Sequence, residues 1–170
     1  MNNKVVLITG GSSGIGKAIG IFLTEKGHTV YGTARDVQKY PGFDAFTLID
    51  LDVRDDSSAQ QAVKQVLEKE GRLDVLINNA GVGITGPVEE TPQEAIDNVF
   101  NINFYGPVRM IKAVLPQMRK QKEGLIINIT SIAGFMGLPY RGFYSASKGA
   151  LGVLTEALRM ETKGFGIKIT

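Results

Sequence analysis

An open α/β fold, built on a parallel sheet with helices on both faces, is what this sequence predicts, and three observations predict it. Short apolar runs alternate with amphipathic stretches along the whole chain, the rhythm of repeated β-α units. The runs are continuously apolar, as strands buried on both faces require. The first of them opens directly into a glycine-rich loop, TGGSSGIG at Thr9 to Gly16, and then into a helical pattern.

Lys4 to Thr9 (KVVLIT) is the first predicted strand. After it, Gly10, Gly14 and Gly16 lack side chains, so the backbone can turn sharply and an anion can approach the N-terminus of the next helix. A flexible surface loop is the alternative, but strand, glycine loop and helix in succession favour a dinucleotide pyrophosphate. Ile15, Ala18, Ile19, Phe22 and Leu23 recur at helical spacing and predict a helix that stops at Gly27. His28 to Thr33 is the second strand, closing a right-handed βαβ unit, and His28 reads as a structural residue in the turn. At this strand end an acid binds a ribose 2′-hydroxyl, whereas an Arg accommodates a 2′-phosphate. The sequence places Arg35 there with Asp36 behind it, which favours NADP(H) and leaves NAD(H) possible.

Phe46 to Leu51 is the third strand, followed by Asp52 and Val53. Asp52 could accept from an adenine amino group, while Asp55 and Asp56 in RDDSS fit helix capping better. Ala62, Val63, Val66 and Leu67 mark one face of a helix from Ser57 to Glu70, ended by Gly71. The fourth strand, Leu73 to Gly81, ends in Asn78 and Asn79, and the small Ala80 and Gly81 leave room for a ligand. Gln93 to Lys122 is helical in pattern but interrupted between Asn103 and Pro107. Asn103, an amide within an apolar stretch, either satisfies a kink made by Gly106 and Pro107 or works in the site. The fifth strand runs from Gly124 to Ser131, placing Ser131 at a strand C-terminus, where open α/β sheets carry their chemistry. The following helix carries Tyr144 and Lys148 four residues apart, on one face, with Leu151, Leu154 and Leu158 turned to the core. A cation beside a phenol favours the phenolate, which makes Tyr144 a candidate general acid/base; the spacing alone equally fits a packed Tyr beside a solvated Lys. Ile167 to Thr170 begins a sixth strand. The strand order that follows is 3-2-1-4-5 with the sixth started beyond it.

Composition narrows the classes. The chain has 170 residues, no cysteine and one histidine, which excludes disulfides, thiolate catalysis and a multi-His metal centre, so no metal is expected. A net charge of +2 gives no argument for nucleic acid or a membrane surface. No apolar run is long enough for a signal peptide or a membrane span, so a cytoplasmic protein is expected. Glycine is enriched, 21 residues, and clusters in the loops where backbone would approach a ligand.

Several separated motifs agree at this point. TGGSSGIG, NNAG from Asn78, and the set Asn103, Ser131, Tyr144 and Lys148 resemble the glycine loop, central motif and catalytic tetrad of the short-chain dehydrogenase/reductase family. Ser131 precedes Tyr144 by 13 residues and Lys148 follows it by four, as in that family, and the resemblance extends from Lys4 to Thr170. It implies a single Rossmann-like NAD(P)-binding domain over residues 1–170 and an oxidoreductase interconverting a carbonyl and an alcohol by hydride transfer. Tyr144 would exchange the proton, Ser131 would bond the same oxygen, Lys148 would hold the nicotinamide ribose, and Asn103 would fix a water in a proton relay. Cofactor contacts are implied for Gly10, Ser12, Ser13, Gly14, Ile15 and Gly16, for Arg35, Asp52, Val53, Asn79, Ala80 and Gly81, and for Tyr144 and Lys148. Ser12 and Arg35 would hold the 2′-phosphate of NADP(H), and Asp52 and Val53 the adenine.

GPVEE, NINFYGPVRM and AGFMGLPYRGFYSASK are similar to the hydroxysteroid and retinol dehydrogenase branch. Ser131, Phe135, Met136, Leu138 and Tyr144 would then face an apolar ketone, aldehyde or secondary alcohol, with Tyr140 and Phe143 beside them. Helices spanning Gln93 to Lys122 and Tyr144 to Lys163 form the homodimer or homotetramer surface in such relatives. Members of the family run to about 250 residues, so the chain is expected to be a fragment, or a natural truncation, ending in the sixth strand. A dinucleotide-binding module without turnover is the alternative function; an extended-family epimerase or dehydratase ranks last, since its loop reads Gly-x-x-Gly-x-x-Gly.

Overall fold

In the computed structural model, which describes residues 3–170, strands and helices alternate along the chain. They are β1 (Val5–Ile8), α1 (Gly14–Glu25), β2 (Thr29–Ala34), β3 (Thr47–Asp50), α2 (Asp56–Glu70), β4 (Val75–Asn78), α3 (Gln93–Phe100), α4 (Gly106–Gln121), β5 (Gly124–Asn128), α5 (Gly142–Thr162) and β6 (Ile167–Ile169). The strands form one parallel sheet in the order β3-β2-β1-β4-β5-β6. This is the doubly wound order expected from the sequence, completed by β6 at the edge beside β5.

The two sheet faces are covered unequally. Leu7, Leu76 and Ile126 point to one face, where Val66 of α2 and Met110, Val114 and Met118 of α4 bury them fully. Val6, Ile8, Val30 and Ile77 point to the other, against Ile19 and Leu23 of α1 and the ring of Phe46. Along β5 the alternation shows the difference: Ile126 and Asn128 are buried, Leu125 and Ile127 only half-buried. Helix α1 shields the β1 side of its face and leaves an apolar trough of about 630 Å³ over β4 and β5. For this reason Phe22 is 56% exposed beside the trough.

Local chemistry sets the element ends. Asp55 caps α2 by accepting from the Ser58 N–H at 2.6 Å, and Gly71 closes the helix at φ +69°. His28 accepts from the Lys4 N–H at 3.2 Å, a structural role as expected. β4 stops at Asn78 rather than reaching Gly81, because the N–H groups of Asn79 and Ala80 both donate to Thr9 Oγ1 at 3.0 Å. The predicted interruption at Asn103 to Pro107 is a π-helical segment, Asn101–Tyr105, between α3 and α4. Pro107 has no N–H to continue the four-residue ladder, and the Gly106 N–H bonds back to the Asn101 carbonyl, five residues earlier.

Candidate active site

The C-terminal ends of β1 to β4 open into a cleft of about 430 Å³. Gly10, Ser12, Ser13 and Ile15 line it from the glycine loop, Arg35 from the end of β2, Asp52 and Val53 from the end of β3, and Asn79, Ala80 and Gly81 from the end of β4. Each of these was a sequence-predicted cofactor residue. Ile15 is 65% exposed on the cleft wall.

The glycine loop is held in shape by its neighbours. Gly10 and Gly14 adopt φ of +66° and +54°, which suits glycine. A Cβ on Gly16 would lie 2.5 Å from Asn79 Nδ2, so the first turn of α1 sits directly against NNAG. Asn79 Nδ2 in turn donates to the carbonyls of Thr9 and Gly10 at 3.0 and 3.1 Å. Ser13 caps α1 in extended backbone without a side-chain capping bond, and a Cβ on Gly14 would meet nothing within 4 Å. Uncapped N–H groups beside open space fit the pyrophosphate of a dinucleotide.

At the far end of the cleft the charges are arranged unevenly. Arg35 is exposed and lines the cleft, whereas Asp36 turns away, accepting from the Gln38 N–H at 3.1 Å and pairing with Lys39 at 3.6 Å. Asp52 is gripped by Arg54, with Nη2 to Oδ2 at 2.6 Å and Nε to Oδ1 at 3.0 Å. The Arg54 guanidinium, and to a smaller extent Arg35, holds the Asp52 carboxyl below the usual carboxylate range.

The other end gathers the predicted catalytic groups. Lys148 is buried, 6% exposed, and its Nζ donates to the Ile129 carbonyl at 2.7 Å. Burial pushes its ammonium below the ordinary lysine range. Asn103 is fully buried; its Oδ1 accepts from the Val82 N–H at 2.9 Å, and Nδ2 donates to the Val82 carbonyl and to Ser147 Oγ at 2.9 and 3.1 Å. The two residues meet over one backbone position: a Cβ on Gly81 would lie 3.3 Å from Asn103 Oδ1 and 3.5 Å from Lys148 Nζ. Gly81 therefore joins the cleft to the catalytic end. Ser131 begins the short turn Ile132–Gly134 and accepts from the Ala133 N–H at 3.2 Å. That turn is seated on α5, since a Cβ on Gly134 would lie 3.0 Å from the Gly149 nitrogen and from the Lys148 carbonyl carbon. Tyr144 stands one turn before Lys148, half-buried, with the Arg141 guanidinium 6.0 Å from its ring centre. Phe135, Met136, Leu138 and Tyr140 project from the loop beyond Ser131 as an exposed apolar patch and line no part of the cleft, and Phe143 is half-buried.

The profile of the short chain dehydrogenase family matches residues 4–170. The chain belongs to this family. Among its relatives, 3-ketodihydrosphingosine reductase of Bacteroides thetaiotaomicron is 49% identical over 169 residues, a match covering 99% of this chain and 62% of that protein. Human retinol dehydrogenase 8 and human 17-beta-hydroxysteroid dehydrogenase type 1 are each 38% identical, over 98% and 100% of this chain and 57% and 56% of their own lengths. The chain thus spans about three fifths of these relatives. A solved structure of ElxO with NADP bound superposes with a TM-score of 0.93 at 33% identity, covering 99% of this chain and 71% of that one. NAD+-bound xylitol dehydrogenase superposes at 0.91 with 31% identity, covering 99% and 68%.

Within this short chain dehydrogenase site, Thr33, Ala34, Tyr40, Leu51, Arg54, Val82 and Ile102 also line the cleft, and sequence reading did not single them out. Arg54 alone left a trace in the sequence: it follows Asp52 and Val53 at a strand end where ligands bind. Ile102 reaches the cleft only because the π-helical segment turns it there, which spacing does not reveal.

Proposed function

We propose that the chain binds NADP(H) and interconverts a carbonyl and an alcohol on an apolar substrate, with Tyr144 as general acid/base. The observation that carries this reading is the meeting of Lys148 and Asn103 over Gly81, which places a buried cation at the inner end of a glycine-floored cleft. Gly10 to Gly16 would hold the pyrophosphate, Asp52 and Val53 the adenine, Ser12 and Arg35 the 2′-phosphate, and Asn79 to Gly81 the nicotinamide half. When bound, the dinucleotide supplies hydride transfer.

The protein's own part is to move and stabilise a proton. Tyr144 Oη gives a proton to the substrate oxygen during reduction and takes it back during oxidation. Lys148, one turn away and buried, would hold the nicotinamide ribose hydroxyls. Ser131 Oγ bonds the same substrate oxygen. Asn103, with its amide committed to Val82 and Ser147, fixes the loop and helix that carry these groups; a water relay to Lys148 is the further role its place suggests.

Preference for NADP(H) is supported by the cleft-facing Arg35 and the averted Asp36. An apolar substrate is supported by the patch beyond Ser131, where Phe135 is 81% exposed, and by the names of the relatives, a 3-ketodihydrosphingosine reductase, a retinol dehydrogenase and a 17-beta-hydroxysteroid dehydrogenase. Assembly as a homodimer or homotetramer is supported by Val153 and Met160, exposed on α5. The test is Tyr144→Phe assayed with NADPH and a panel of apolar ketones. Turnover should fall by more than about 10²-fold while NADPH binding holds; full turnover in the variant would overturn the mechanism.

A further inference from the structure

We propose that Arg54 decides how well the cleft tolerates a phosphorylated ribose, by cancelling the charge of Asp52 next to Arg35. The inference rests on the dinucleotide reading above and adds to it a second specificity residue.

Three charged side chains line the adenosine end of the cleft: Arg35, Asp52 and Arg54. Arg35 makes no ion pair among the described residues. Asp52 is engaged by Arg54 from one side along its whole edge. Nε lies 3.0 and 3.2 Å from the two carboxylate oxygens, Nη2 lies 2.6 Å from Oδ2, and the Arg54 N–H donates to Oδ1 at 3.0 Å. This two-pronged grip fixes the guanidinium in the cleft wall. Both side chains keep contact with water, at 40% for Arg54 and 31% for Asp52, so a bound nucleotide would meet the pair directly.

The sum of charges decides the consequence. With Arg54 in place, the two arginines and one aspartate leave a net positive end. Without it, Asp52 stands bare and offsets Arg35, so a 2′-phosphate meets no net attraction. A ribose with two hydroxyls carries no charge to feel the difference. Arg54 therefore acts on the phosphorylated nucleotide selectively, through the net charge of this end of the cleft.

The probes are adenosine 2′,5′-bisphosphate and adenosine 5′-monophosphate, titrated calorimetrically into the chain at one ionic strength. They need only the adenosine end, so the result does not depend on the nicotinamide half or on turnover. Arg54→Gln should weaken the bisphosphate about tenfold, the scale of one unit charge a few ångströms away near a protein surface, and leave the monophosphate within about twofold. Arg54→Lys, which keeps the charge, should retain most of the bisphosphate affinity. In an Asp52→Asn background the Arg54→Gln loss should stay within about twofold of its size beside Asp52, because the same unit charge is removed. Equal losses for both probes, or a loss that vanishes beside Asn, would overturn the proposal; the second result would mean that Arg54 acts by positioning Asp52 and not through the charge of this end of the cleft. A wild type that prefers the monophosphate would overturn the NADP reading, while the change in ratio on Arg54→Gln would still decide this one. Failure of the wild type to bind either probe would overturn both.

Discussion

Lys148 Nζ donates to the main-chain carbonyl of Ile129 at 2.7 Å, and that one bond ties the centre of α5 to the end of β5. Ser131 lies two residues further along the same strand end. A single stretch of backbone therefore positions Ser131 and anchors Lys148, so the spacing of the two groups is set by β5 and not by a flexible loop.

The buried ammonium has a pH signature. Burial lowers the folded-state pKa of Lys148, so between that value and the unfolded value of about 10.4 the unfolded chain binds more protons. Stability from this residue therefore rises as pH climbs through the window. Urea midpoints of wild type and Lys148→Met should diverge in favour of wild type between neutrality and about pH 10. A difference that stays flat with pH would mean that Lys148 is not desolvated.

Gly81→Ala separates folding from binding. Its Cβ would sit 3.3 Å from Asn103 Oδ1 and 3.5 Å from Lys148 Nζ, tight but tolerable, so melting should change little. The same methyl occupies the junction of the cleft and the catalytic end, and NADPH affinity should drop by about tenfold or more, roughly 1.4 kcal/mol. Calorimetry on the variant checks this; unchanged affinity would place the nicotinamide half elsewhere.

Gly134→Ala acts on geometry instead. A Cβ there would press within 3.0 Å of the α5 backbone at Lys148 and Gly149, which pushes the Ser131 turn off the helix. Turnover should fall much more than NADPH affinity, because Gly134 does not line the cleft while its turn carries Ser131. Parallel loss of both, measured by steady-state kinetics and titration, would contradict the separation.

Asn103→Leu should destabilise the fold by about 2–4 kcal/mol, since it removes the three hydrogen bonds of a fully buried amide, two to the main chain of Val82 and one to Ser147 Oγ. Thermal denaturation measures it. A variant melting with the wild type would show that the amide is replaceable by water.

Much of this was legible in the sequence, for particular reasons. The apolar runs VVLI and LIIN are strands that a sheet must bury, and their order follows from the handedness of β-α-β crossovers. The glycines of TGGSSGIG and the residues from Asn79 to Gly81 reached the cleft because strand ends dictate where loops emerge. The exposure of Phe22 was not legible because helical periodicity marks an apolar stripe without saying how much of it the sheet covers. Arg54 escaped because a grip on a residue two positions back depends on how the chain turns after β3, and the partner of Asn103 escaped because Val82 lies 21 positions away.

The most direct measurement is a calorimetric titration of the chain with NADPH and, in parallel, with NADH. The expected result is saturable one-to-one binding of NADPH, at least about tenfold tighter than NADH, and reduced by Arg35→Ala to the NADH level. Binding of neither dinucleotide, or tighter binding of NADH, would contradict the assignment of the glycine-floored cleft and its Arg35 end to NADP(H).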